Sequence, residues 1–135
     1  MEWIMTIPSI VFTKIKNGFS EDIKTKYGMK DTNFSTSAVL NTTATFPFVY
    51  IKLLGGSEEG MDLSGNTINA ATFTFQIEVT DNRYQARARE VMNEVVRIMK
   101  EMRFTILALP LIESTEDVHT ITCRFERVIG SGDTI

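Results

Sequence analysis

Thr72-Phe73-Thr74-Phe75-Gln76-Ile77-Glu78-Val79 alternates polar and apolar residues without a break. A two-residue period marks a strand with one buried face and one wet face. Thr80-Asp81-Asn82 then supplies side chains suited to a helix N-terminus, and Arg83 to Met102 continues as an amphipathic helix. Tyr84, Ala88, Val91, Val95, Ile98 and Met102 fall on one stripe, with Met92 and Met99 beside it. The other face offers Arg87/Glu90, Glu94/Arg97 and Arg97/Glu101 at pairing distance. A helix of about 20 residues is ~30 Å long, enough to cross a sheet. Two extended segments follow. Thr105 to Ile112 is interrupted by Pro110, Glu113 to Asp117 is a turn, and Val118 to Ile129 closes the pattern. A strand, a helix and a strand pair, each with one apolar face, make half of a two-layer α+β domain.

The first part of the chain supplies the rest. Ile7, Ile10, Val11, Ile15, Phe19 and Ile23 recur at helical spacing, which predicts a helix from about Pro8 to Lys26. Pro8 suits a first-turn position and Gly28 a C-terminal stop. Gly18 inside this helix weakens it by about 1 kcal/mol against alanine and allows a break into two. Thr32 to Thr45 is rich in Thr and Ser and reads mostly as loop, with room for a short edge strand at Ser37 to Leu40. Phe46 to Leu54 is a strand, with Pro47 at its start or on an edge. Residues 55–66 hold four Gly and three acids without periodicity, and read as a long mobile polar loop. Asn69 to Val79 is the next strand. The expected fold is α+β, with an antiparallel or mixed sheet of four to five strands and two helices packed on one face. The element order is α-β-(β)-β-α-β-β. Residues 1–130 form a single domain and residues 131–135 a flexible tail.

A chain of 135 residues fits one domain with its own core. The net charge of −3 is distributed in blocks. Residues 1–30 carry five Lys against three acids, and residues 31–82 carry six acids against Lys52. Residues 83–105 carry six basic residues against three acids, and residues 106–135 five acids against two Arg. Such alternation argues against a nucleic-acid groove, which needs a sustained basic surface. It suits a protein that packs against its own copies, plus end to minus end. Cys123, the sole cysteine, excludes an intrachain disulfide and reads as a small buried hydrophobe. The first residues lack the features of a signal peptide and no apolar run approaches a membrane span, so a soluble protein in a reducing cytoplasm is expected.

Candidate chemistry is sparse. His119 is the only histidine, so Ser-His-Asp or Cys-His catalysis would have to run through it. It sits at a predicted strand start beside an acidic turn, the position of an ordinary exposed histidine. Glu58, Glu59 and Asp62 lack the spacing of an EF-hand loop. Gly55-Gly56 and Gly60 open no phosphate-binding motif. No catalytic residue, metal or cofactor is expected. Arg124, Glu126 and Arg127 near the last strand's end suit either cross-strand charge pairs or an intersubunit face, and Arg127 breaks the apolar alternation of Ile121, Cys123, Phe125 and Ile129. Arg83, Arg87 and Arg89 lie near a helix N-terminus, where the dipole disfavours cations, which implies acidic partners nearby.

Four segments together carry a resemblance. They are Phe46-Pro47-Phe48-Val49-Tyr50-Ile51, the polar loop leading to Phe75-Gln76-Ile77-Glu78-Val79, the helix from Ala86-Arg87 to Met102, and the closing Arg124-Phe125-Glu126-Arg127-Val128-Ile129. Over about residues 46–130 the chain resembles the tail terminator (tail completion) proteins of tailed bacteriophages and related phage-tail-like particles. Met102-Arg103-Phe104 stands where that family often has an "LGF"-like helix end, so the glycine before Phe104 is missing. The resemblance implies a structural virion protein, not an enzyme. Its homohexameric ring would cap the head-proximal end of the tail tube, end tube polymerisation and present the surface that joins tail to neck. Implied partners are further copies, the tail tube protein and a neck or head-closure protein. DNA would pass through the lumen without specific binding, and no membrane is involved. Assembly would take place in the bacterial host cytoplasm. Phe48, Tyr50, Lys52, Glu58, Glu59, Asp62, Arg83, Arg87, Arg124, Glu126 and Arg127 are the candidate assembly interface. The alternatives are a head-closure or neck adaptor and, further off, a small ligand-binding or enzymatic domain of ferredoxin-like topology.

Overall fold

A computed structural model describes residues 2–36, 45–61 and 68–135. The elements run α1 (Glu2–Gly18), α2 (Glu21–Tyr27), a 3-10 turn (Asp31–Asn33), β1 (Phe34–Ser35), β2 (Phe48–Met61), β3 (Ile68–Asp81), α3 (Gln85–Glu101), β4 (Thr105–Thr115) and β5 (Val118–Gly130). The five strands form one mixed sheet in the order β1-β2-β3-β5-β4. Only β1 runs parallel to its neighbour; the other pairings are antiparallel. The fold is α+β, as the strand and helix periods predict.

The alternation that opens the argument sets the layers. On β3, Phe73, Phe75, Ile77 and Val79 are buried, while Thr74, Gln76, Glu78 and Thr80 are only half covered. On β5, Ile121, Cys123, Phe125 and Ile129 lie in the same core. Ile7, Val11 and Ile15 of α1 and Ala88, Val91, Met92, Val95, Ile98 and Met99 of α3 close that core from the helix side. Phe75 meets Phe104 edge to face, with ring centres 5.7 Å apart. Burying these side chains contributes about 1.5–3 kcal/mol each.

The N-terminal helix differs from expectation. It starts at Glu2, so Pro8 lies inside it rather than in its first turn, and it ends at Gly18. A second helix then starts behind Ser20, whose hydroxyl accepts from the Ile23 N–H. The break has a packing reason. A Cβ at position 18 would stand 3.3 Å from Ile98, so glycine lets α1 approach α3. Gly28 ends α2 in the left-handed region at φ 63°, as the sequence predicts.

The loop expected at residues 55–66 is largely strand. β2 continues to Met61 and β3 begins at Ile68, with Glu58 opposite Ala71 and Glu59 opposite Ala70. A register shift between Leu53 and Gly55 accommodates the glycines, and Gly55 takes φ 129° there. The possible strand at Ser37 to Leu40 and the residues 62–66 of the expected loop lie outside the described residues. The expected turn at Glu113 to Asp117 narrows to Glu116-Asp117, since Thr115 pairs with Val118 and Glu116 takes φ 53°. Residues 131–135, expected as a tail, make contacts with the domain. The Asp133 carboxylate accepts from the Gly130 N–H at 2.7 Å, and Ile135 packs against the core.

Candidate assembly surface

Three arginines named for their charge turn out to serve helix ends. Asp81 is fully buried at the end of β3. Its carboxylate accepts from the backbone N–H groups of Arg83 (3.0 Å) and Tyr84 (2.7 Å) and from Arg87 Nε (2.5 Å). It therefore supplies the negative charge that the α3 N-terminus favours and offsets the misplaced cation there. Arg87 also lies 5.8 Å from the Tyr27 and Tyr84 ring centres. The acidic partner expected near Arg83, Arg87 and Arg89 is thus, for Arg87, a residue of the same chain.

Arg127 fills the inward position where the β5 alternation breaks. Its side chain is 9% exposed, and Nη1 donates to the Met102 carbonyl at 2.8 Å, at the C-terminal end of α3. A cation at that end of the helix is favoured by the dipole. Within the chain Arg127 thus acts as a cap on α3. Arg97 does the same for α1: Nη2 donates to the Gly18 carbonyl at 2.8 Å, while the same guanidinium pairs with Glu94 and Glu101. The expected Arg87/Glu90 pair does not form. Glu90 accepts instead from Lys26 (3.2 Å) and from the Tyr27 hydroxyl, tying α2 to α3. Those donors hold the Glu90 carboxyl below its ordinary value. Burial raises the Tyr27 phenol, and the bond from Lys26 to Glu90 raises the Lys26 ammonium.

The other candidate interface residues divide. Phe48 is 8% exposed at the start of β2, so its side chain is withdrawn from any surface. Tyr50 and Lys52 lie next along β2, where they line a groove with Pro8, Thr36 and Leu53. Arg124 is exposed on the sheet face without helices and donates to Gln76 Oε1 at 2.9 Å. Arg103, Glu126 and Arg127 share a second groove, near the Thr105 end of β4. Arg83 is exposed beside Asp81. Glu58 and Glu59 sit on β2, and Asp62 falls outside the described residues.

A run of exposed apolar residues involves none of these. On β4, Leu107, Leu109 and Leu111 are 54%, 81% and 60% exposed, and Ile112 and Val118 are exposed as well. β4 is an edge of the sheet, and Thr105 to Ile112 carries no charge. Edge strands are ordinarily blunted by lysine, proline or bulges. Here Pro110 and two register irregularities, at Ile106/Ala108 and Ala108/Leu111, interrupt the ladder, but no charge guards the leucines. The signal was present in the sequence as an unbroken apolar run around Pro110, a residue confined to sheet edges.

The residues with potential for chemistry are spread apart. No group of three or more His, Cys, Asp and Glu side chains is placed to hold a metal. His119 Nδ1 lies 2.7 Å from Ser114 Oγ across the β4–β5 hairpin, with Gln85 Nε2 3.3 Å from the same hydroxyl. Asp81, the nearest acid in register, is committed to α3. Cys123 is buried with Sγ 3.4 Å from the Ala108 carbonyl, and burial raises its thiol pKa. No described helix is long and apolar enough to cross a membrane. Comparison with protein-family models and with curated proteins gives no match.

Proposed function

We propose that the protein is a structural subunit that assembles into a ring and caps the head-proximal end of a phage tail tube. The observation that carries this reading is the uncharged leucine edge of β4, left bare on a domain that pairs Asp81 with Arg87 and caps α3 with Arg127 internally. An exposed apolar patch of this kind on a folded domain marks a protein contact. The sequence resemblance over residues 46–130 supplies the class of assembly. A tail tube is an open heterologous polymer whose last ring keeps an unsatisfied face. A terminator covers that face and offers a different one to the neck. On this reading the partners are further copies, the tube protein and a neck protein. DNA traverses the lumen without specific binding, which the net charge of −3 suits. The protein carries out no reaction and resides in the virion.

The test is tube growth. Tail tube protein polymerised with this protein present gives short tubes with a ring of six subunits at one end by electron microscopy. Tubes of unchanged length, bare at both ends, would refute the proposal.

A further inference from the structure

We infer that neighbouring copies meet head to tail, the β4 leucines of one copy seated in the groove along the β2 edge of the next. This inference rests on the ring reading. β4 and the β1–β2 side are the two opposite edges of the one sheet. Each edge exposes leucine: Leu107, Leu109 and Leu111 on β4, and Leu53 and Leu54, 38% and 40% exposed, on β2. Among the described residues only Phe34 and Ser35 pair along the outer side of β2, opposite Val49 and Tyr50. Just beyond them lies the groove lined by Pro8, Thr36, Tyr50, Lys52 and Leu53, with a volume of about 430 Å³.

Charge favours the same match. β4 runs into Glu113, Glu116 and Asp117, all exposed, whereas the groove presents exposed Lys52. Acid meets base when one copy's β4 end reaches the next copy's groove. A contact between two different surfaces repeats from copy to copy, as a ring requires, whereas a self-complementary β4 contact stops at a dimer. Side chains make the contact, not a continuous ladder. Pro110 has no N–H to donate, and the two register irregularities leave β4 a poor template for a further strand.

Site-directed cross-linking tests this. Leu109→Cys and Leu53→Cys variants are mixed and oxidised, with the native Cys123 buried and inert. A disulfide dimer containing one copy of each is expected, and the double variant is expected to give covalent chains up to a closed ring. Lys52→Cys, at an exposed position, replaces Leu53→Cys if the latter fails to fold. Native mass spectrometry of the same samples separates the two claims. Rings that yield only Leu109–Leu109 linkage, or none, overturn the head-to-tail contact and leave the ring standing. Monomers at every concentration, alone or with tubes, overturn the ring reading and this contact with it.

Discussion

β5 and β4 are two strands of one hairpin, yet they treat their apolar residues in opposite ways. β5 hides Ile121, Cys123, Phe125 and Ile129 under α3 and turns Arg124 and Val128 outward. β4 has as many apolar residues and exposes almost all of them; only Ile106, opposite Phe125, packs against the core. The difference comes from what lies above each strand. α3 crosses the sheet over β3 and β5, and its buried stripe ends at Met102. β4 lies beyond that cover. Apolar character alone therefore does not place a residue in the core, and a bare apolar strand on a well-satisfied domain points to a partner.

The comparison breaks most visibly at Phe125. Replacing it by Ala is expected to cost about 3–5 kcal/mol, since a fully buried ring leaves a cavity; urea unfolding measures this. A loss below about 1 kcal/mol would mean that β5 is no better covered than β4. Next comes Asp81→Ala, which leaves Arg87 without its acid and α3 without two bonded N–H groups. About 3 kcal/mol is expected, the low end for such a pair because Arg87 is partly exposed. Arg103→Gly works in the other direction. Arg103 holds φ 66° just after α3, where glycine is relaxed, so the variant should gain about 1 kcal/mol in thermal unfolding.

Much of this was legible beforehand. The alternation of Thr72–Val79 and the stripe of α3 are governed by burial against one partner layer, and a linear pattern records that directly. The hairpin through residues 55–61 was not legible, because glycines and acids disfavour strands and only pairing with β3 holds them extended. The capping bond of Arg127 was hidden for a related reason. An inward arginine looks like a surface feature until the Met102 carbonyl is known to lie beside it. Of the charged interface candidates, Arg87 and Arg127 make bonds within the chain. The exposure of Leu111 follows from its register opposite Thr122 on the face without helices, which no local pattern encodes.

A smaller effect sharpens the contrast at the helix side. Glu90 has its carboxyl pKa lowered by the Tyr27 and Lys26 donors. It therefore contributes stability above the ordinary carboxylate value and loses it as pH falls through its own lowered value. The pair is exposed, so the change is slight. Thermal unfolding of the native protein and Glu90→Gln should differ at neutral pH and converge as pH falls below the lowered Glu90 value. A gap that persists in acid would assign the Glu90 contribution to packing.

The most direct test of the central claim is the mass in solution of Leu109→Lys beside the native protein. A lysine at this exposed edge should change unfolding stability by no more than about 0.5 kcal/mol. The account predicts native rings of six and a folded, equally stable monomer for the variant. Rings of unchanged mass from Leu109→Lys would contradict it.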